Sequence, residues 1–235
     1  MSKIDFSKIN EQLKAENPLS IEDQTESLES QLRALDDRLG ELPVDSGERG
    51  KLFLEKARML VSLGRNDQAW SFARPAVDLF IQVQDFEQAA DACDVLYNTE
   101  QDGSISALGQ GIWLAVTYPV DLQLALALLQ HLVEETPDHS DGAAVAAATA
   151  SYLVDLRGDE KQMESLGFFA NQLLGQVARR HSNVNSQEEF DAWFQRLELQ
   201  DPAKFLPRLR NVVDVLVQDD WWFERESLQE KLPVH

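Results

Sequence analysis

A chain of 235 residues with 43% hydrophobic and 26% charged residues is long enough to bury one large core or two small ones, in the proportions of an ordinary globular protein. Its formal net charge of −20 opposes contact with phosphate backbones and anionic lipid, which excludes nucleic acid and membrane surfaces as expected partners. The single cysteine, Cys93, excludes an intramolecular disulfide framework and a cysteine-built zinc site, and no apolar run reaches the roughly 18 residues of a membrane span.

Ala, Leu, Gln and Glu dominate while Gly and Pro are sparse, so the chain is expected to be helical throughout. Residues 1–18 read as a polar arm with apolar points at Ile4, Phe6, Ile9 and Leu13, ended by Pro18. Asp5 stands where a signal peptide would begin its apolar region, and a cytoplasmic location is expected. Ser20 is placed to cap a stronger helix. Along it Ile21, Leu28, Leu32, Leu35, Leu39 and Leu42 follow alternating four- and three-residue steps, with Thr25 in the missing place. This is a seam of about three heptads. It either packs on the rest of the same chain or joins two copies through Leu28, Leu32, Leu35 and Leu39. The stretch from Gly40 to Gly50 reads as a linker.

From Lys51 the pattern becomes regular. Phe53, Leu54, Ala57, Leu60 and Val61 make one helix, and Gly64 supplies the left-handed residue that commonly closes one. Asp67 is expected to cap the next, in which Pro75 predicts a kink near Ala73 and Arg74. Asp85 opens a helix through Phe86, Ala89, Cys93 and Leu96. Ser104 or Ser106 opens another through "ALGQGIWLAVTY", Asp121 a third and Asp159 a fourth. Ser186 and Glu189 form a capping box, and Asp201–Pro202 places a cap before a proline at the first helical position. Asp219 or Asp220 is expected to cap a final helix, "WWFERESLQEKL", with Trp221, Leu228 and Leu232 on one face.

The Gly64 turn recurs. "LGRNDQAWSFARPA" carries Ala five residues after its Gly and again seven further on. "RGDEKQMESLGFFA" repeats the turn and ends on Ala170 in the same place. "VQDFEQAADACDVL" puts Ala89 in frame, and "YPVDLQLALALLQHLVEETP" puts Ala125 in frame with Pro137 twelve residues later. This resembles the tetratricopeptide family, a repeat of two antiparallel helices in about 34 residues. In that frame Ala57, Ala69, Ala76, Ala89, Ala125, Pro137, Gly158 and Ala170 fall where two helices cross closely, which only small side chains allow. The frames here are offset by 20, 36 and 38 residues rather than by a steady 34. The resemblance implies a solenoid whose inner surface is lined from the first helix of each unit. Carried over by frame, the lining residues are Arg58, Asp78, Gln110, Tyr118, Tyr152 and Asp155.

Charge is unevenly placed. Between Arg74 and Arg157 lie thirteen acids and no Lys or Arg, where the chain's average density would put about seven bases. Such a stretch serves solubility or attracts a basic protein segment. Trp221 and Trp222 read as core or as anchors for a partner. No phosphate loop, HExxH or nucleophile elbow is present, and "GQG" at Gly109–Gly111 reads as packing. His131, Glu135, His139 and Asp141 have spacings that could hold a divalent ion.

The expectation is therefore an all-α protein: an N-terminal arm, heptad helix and linker over 1–50, a tetratricopeptide-like helical-hairpin solenoid over 51–181, and a helical cap over 182–235. The expected role is a non-enzymatic, cofactor-free adaptor or assembly chaperone that binds a basic protein segment. A homo-oligomer joined by the heptad seam, and a metal-handling protein built on His131, Glu135 and His139, are the alternatives.

Overall fold

The structure, a computed structural model, describes residues 21–44 and 46–230. The arm expected over 1–18, the Ser20 cap and Leu232 lie outside these residues, as does the side chain of Ile21. Among the described residues are eleven helices and no strand. They are α1 (Ile21–Glu41), α2 (Gly47–Ser62), α3 (Asn66–Gln82), α4 (Phe86–Tyr97), α5 (Ser104–Thr117), α6 (Leu122–Glu135), α7 (Asp141–Arg157), α8 (Glu160–Ser182), α9 (Gln187–Arg196), α10 (Pro202–Val217) and α11 (Arg225–Gln229).

Short polar side chains start most of these helices by accepting the backbone N–H groups that the first turn leaves unpaired. Asp85 accepts from Gln88, Asp121 from Gln123 and Leu124, and Asp201 from Ala203 ahead of Pro202. Asp159 with Gln162, and Ser186 with Glu189, form full capping boxes. Gly64 adopts φ +68 between α2 and α3, the left-handed turn its position predicts. Three sequence expectations shift. Helix α3 begins at Asn66 before Asp67, α5 begins at Ser104 with Gly103 ahead of it, and α2 begins at Gly47, which shortens the linker. Helix α3 also runs on through Pro75 to Gln82.

The carbonyl ends are served differently. Arginines arrive from other helices and donate to the last carbonyls. Arg49 reaches Leu39 and Leu42 of the α1 end, Arg157 reaches Ala115 and Val116 of α5, Arg180 reaches Val133 of α6, and Arg208 reaches Leu197 after α9. A guanidinium there satisfies orphan acceptors and complements the helix dipole. Four of the chain's 21 Lys and Arg residues serve in this way.

Each helix from α2 to α8 packs on its neighbours in sequence, and α2, α4, α6 and α8 also meet in succession. Two helices are apolar all round, and both are interior, as such patterning requires. In α5 every residue from Ser106 to Ala115 is buried, and in α7 the run from Gly142 to Ala150 is buried. Helix α10 covers them, laying Leu209, Val213 and Val217 against α5 and α7. Gly109 makes that approach possible. A Cβ there would stand 2.6 Å from Val217 Cγ2 and 3.1 Å from Leu216 Cβ. Gly111 faces the other way, where a Cβ would meet Cys93 at 2.9 Å and Leu128 at 3.1 Å.

The heptad seam is satisfied within the chain. Leu32, Leu35 and Leu39 are buried; Leu35 and Leu39 pack with Leu52 of α2 and with Phe53 and Met59. The ion pairs Asp36–Lys56 and Glu29–Arg65 stitch α1 to α2 and to the turn after it. Of the leucines that the alternative homodimer would use, Leu32, Leu35 and Leu39 are covered by α2 and the core behind it, and Leu28 is half-buried.

Candidate functional site

The tryptophan pair is half-buried, packed against the core, and it is not helical. Residues 221–224 run as a strap, and α11 begins only at Arg225. The Trp222 N–H donates to Gln110 Oε1 at 2.9 Å, and the helix expected from Trp221 starts only at Arg225. Gln110 Nε2 donates to the Asp220 carbonyl at 3.2 Å, and Ser106 Oγ donates to Asp220 Oδ2 at 2.9 Å. The Trp222 ring meets Trp70 edge-on at 6.3 Å, with the Arg74 guanidinium 4.1 Å from its centroid. Trp221 meets Trp113 at 6.2 Å and carries Arg225 at 3.9 Å.

Gln110 and Tyr118 are therefore corrected as lining residues. Both are buried, Gln110 fully, and Tyr118 donates its hydroxyl to the Leu228 carbonyl at 2.9 Å. Tyr152 is half-buried, with its ring edge-on to Phe205 of α10 at 5.9 Å. Asp78 and Asp155 are exposed on α3 and α7, Asp78 beside Arg74 at 2.7 Å. Arg58 alone of the expected set opens on a groove.

That groove crosses α2, α4 and α6. Side chains at positions 91, 94, 95 and 98 share one face of α4, by the three- and four-residue spacing that stacks a helical stripe. Arg58 of α2 pairs with Asp91, and His131 Nε2 of α6 lies 3.4 Å from Asp94 Oδ1. Tyr97 donates its hydroxyl to Glu135 Oε1 at 2.7 Å and packs its ring 4.5 Å from that of His131. Two cavities result, sharing Asn98. One of about 340 Å³ is lined by Arg58, Asp91, Asp94 and Asn98, and one of about 480 Å³ by Tyr97, His131, Glu134, Glu135 and Ile105. Five acids, Asp91, Asp94, Glu100, Glu134 and Glu135, surround the pair of cavities, faced by Arg58 and His131.

Burial and the neighbouring carboxylates set the charge of the groove's ionisable groups. Asp94, opposed in part by burial and helped by Glu134, raises the His131 pKa above its usual 6.5 and favours the imidazolium. The 3.4 Å contact is long for a hydrogen bond, and buried Asp94 Oδ1 accepts none from any group, so their attraction is that of an ion pair. Burial first, then the bond to Glu135, pushes the Tyr97 hydroxyl above its usual range and keeps it a donor. Cys93, fully buried beneath, has its thiol pushed up by desolvation.

The metal-handling alternative is corrected here. His131 turns to Asp94 and Glu134, Glu135 to Tyr97, His139 to the His181 carbonyl, and Asp141 to His181 and Arg208. Among the described residues no group of three His, Cys, Asp or Glu side chains is placed to hold a metal ion. Among them, too, no helix is long and apolar enough to cross a membrane.

Of the groove residues, sequence reasoning named Arg58 for binding and considered His131 and Glu135 only for metal. It missed Asp91, Asp94 and Glu134 as a set. A signal existed in the separations. Arg58–Asp91, Glu87–Asp121 and Tyr97–Glu135 contacts span 33, 34 and 38 residues, so each links corresponding turns of alternate helices. Comparison with known proteins finds no family model, no curated protein and no solved structure that matches this chain.

Proposed function

We propose that the protein is a non-enzymatic binding scaffold of the adaptor or assembly-chaperone kind, a tetratricopeptide-like helical solenoid that holds a basic segment of a cytoplasmic client protein in the groove of α2, α4 and α6. Contacts recurring at 33 to 38 residues between alternate helices support the repeat reading. One observation carries the functional reading. The molecule covers one side of its helix row with its own α10 and strap, while the other side keeps a groove of five acids open.

The thirteen acids without a Lys or Arg divide by role. Asp85 and Asp121 cap helices, and Asp138 and Asp141 pair with Arg180 and Arg208. Those left around the groove have only Arg58 and His131 against them, so the local potential is negative and a cationic segment is drawn in and oriented. The test is binding of a fluorescein-labelled hexalysine peptide to the full chain. Expected is micromolar-range binding that weakens at least tenfold as screening shortens from about 10 Å in 0.1 M salt to about 3 Å in 1 M. Asp91→Asn with Glu134→Gln should weaken it, and Asp78→Asn with Asp155→Asn should not. Equal weakening by both pairs would mean that only net charge matters and would sink the groove as the site.

A further inference from the structure

The acidic groove does not end at Glu135. The same side chain lines a third cavity of about 360 Å³, between the α6–α7 turn and α10, whose walls are Leu132, Pro137, Val212, Val215 and Leu216. Asn98 lines both of the first two cavities and Glu135 lines both the second and the third, so the three are neighbours in a row that an extended segment can follow as a track. Its two ends differ in chemistry: carboxylates and a guanidinium at the α2–α4 end, aliphatic walls at the α10 end.

Helix α10 carries more apolar surface than its packing uses. Leu209, Val213 and Val217 form the stripe buried on α5 and α7. Val212, Val215 and Leu216 form a second, at the i, i+3, i+4 spacing; Val212 and Leu216 are half-buried against the core, and Val215 is 70% exposed. A lone exposed valine is ordinary, but a second stripe walling an aliphatic cavity is the mark of a surface that receives something.

From this, and resting on the proposed function above, we infer that the track takes one segment of a different protein. Its basic residues lie over Asp91, Asp94 and Glu134, and an aliphatic side chain following them enters the cavity walled by Leu132, Pro137 and Val215. Charge complementarity selects the occupant. A second copy of this chain would bring another net −20 toward the same carboxylates, whereas a basic segment is attracted to them and delivers its apolar residue to the adjoining cavity. The acids then supply encounter and orientation, and the cavity supplies selection among basic segments, since removing an aliphatic side chain from water is the sequence-specific part of the contact.

Three labelled peptides and the full-length protein test this by fluorescence anisotropy: four lysines followed by two leucines, four lysines followed by two serines, and two leucines flanked by serines alone. The lysine–leucine peptide is expected to bind about tenfold more tightly than the lysine–serine peptide, and the leucine–serine peptide to bind at least tenfold more weakly than either. Val215→Asp, at an exposed site that tolerates it, should remove the tenfold preference and leave lysine–serine binding within about twofold. Asp91→Asn with Glu134→Gln should weaken both lysine peptides. Equal affinities of the two lysine peptides for the wild type would overturn the track while leaving the basic-segment reading standing. Absence of binding by both would overturn both. A wild-type dimer in light scattering that Val215→Asp makes monomeric would also overturn it, in favour of a second copy as the occupant.

Discussion

The two sides of the helix row are made from the same kinds of element and finished in opposite ways. On one side α5 carries no charge and α7 carries charge only near its ends; both are narrowed by glycine and alanine, and closed by α10 and the Trp221–Phe223 strap. The few polar groups there, Ser106, Gln110 and the Trp222 N–H, are satisfied by one another. On the other side α4 and α6 present carboxylates, an imidazole and a phenol to open cavities. The difference lies in where polar groups find their partners. A sealed face must satisfy every polar group internally, because an orphan there costs about 1–3 kcal/mol. An open face can leave its exposed groups to water, and so can exchange water for a ligand; its one buried orphan acceptor among the described residues, Asp94 Oδ1, lies in the ion pair with His131.

The contrast breaks most sharply at Gly109. A Cβ there meets Val217 Cγ2 at a distance that real Cβ atoms essentially never show and Leu216 Cβ at a tight 3.1 Å, and Leu216 Cβ moves only if α10 moves. Gly109→Leu is expected to cost about 3 kcal/mol, roughly 6–12 °C in Tm, by prising α10 from α5. The comparison substitution is Gly40→Ala in α1, where a Cβ meets nothing within 4 Å. It should raise stability by about 0.5–1 kcal/mol through the helix preference of alanine. Thermal melts of the two variants read opposite signs. A Gly109→Leu protein that melts with the wild type would show that α10 does not seal the row.

These two sides were unequally legible in the sequence. Helix starts were plain, because Asp85, Asp121, Asp159, Ser186 and Asp201 act through groups two or three residues away. Gly64 was plain because only its own φ is at stake. The buried alanines were plain from spacing. Gln110 was not: a glutamine in a helix reads as a solvent-facing residue until Asp220 and Trp222 arrive from 110 and 112 residues further on to use its amide. Trp221 and Trp222 read as helical for the same reason, since local propensity knows nothing of the Gln110 carbonyl that captures the Trp222 N–H. The groove hid in a similar way. Asp94 and His131 are ordinary residues in their own helices, and their meaning lies in meeting across the row.

A smaller effect sharpens the open side. Asp94 and Glu134 raise the His131 pKa in the folded protein, with the Tyr97 ring tilted beside it and Glu135 held by Tyr97. A pKa raised on folding stabilises in full below the ordinary imidazole value of 6.5, and that contribution is lost as pH rises through the raised value. Between about pH 6 and about pH 8.5 the wild type should therefore lose more Tm than His131→Gln does. Because the ring sits at the groove mouth, solvent screens the pair and the difference stays within a few degrees. Identical pH profiles for the two proteins would show that the imidazolium is not held in the groove.

The smallest expected effect separates structure from function. Asp91 pairs with Arg58, and among the described residues Glu134 bonds Gln130 and faces His131. Exposed ion pairs contribute about 0–1 kcal/mol, so Asp91→Asn with Glu134→Gln removes little attraction. The same change takes the net charge from −20 to −18 and relieves some of the repulsion that a strongly acidic chain suffers on folding. The two terms oppose, and the melting temperature should stay within about 2 °C of the wild type. That near-silence is informative. Carboxylates that can be neutralised without cost are not there for the fold, in contrast to Asp121, whose exchange for Asn in the cap would also be tolerated but whose loss to Ala should cost about 1 kcal/mol. A fall of more than about 5 °C in the doubly neutralised protein would make the groove acids structural, and the open side would then serve the chain's own stability as much as the sealed side does.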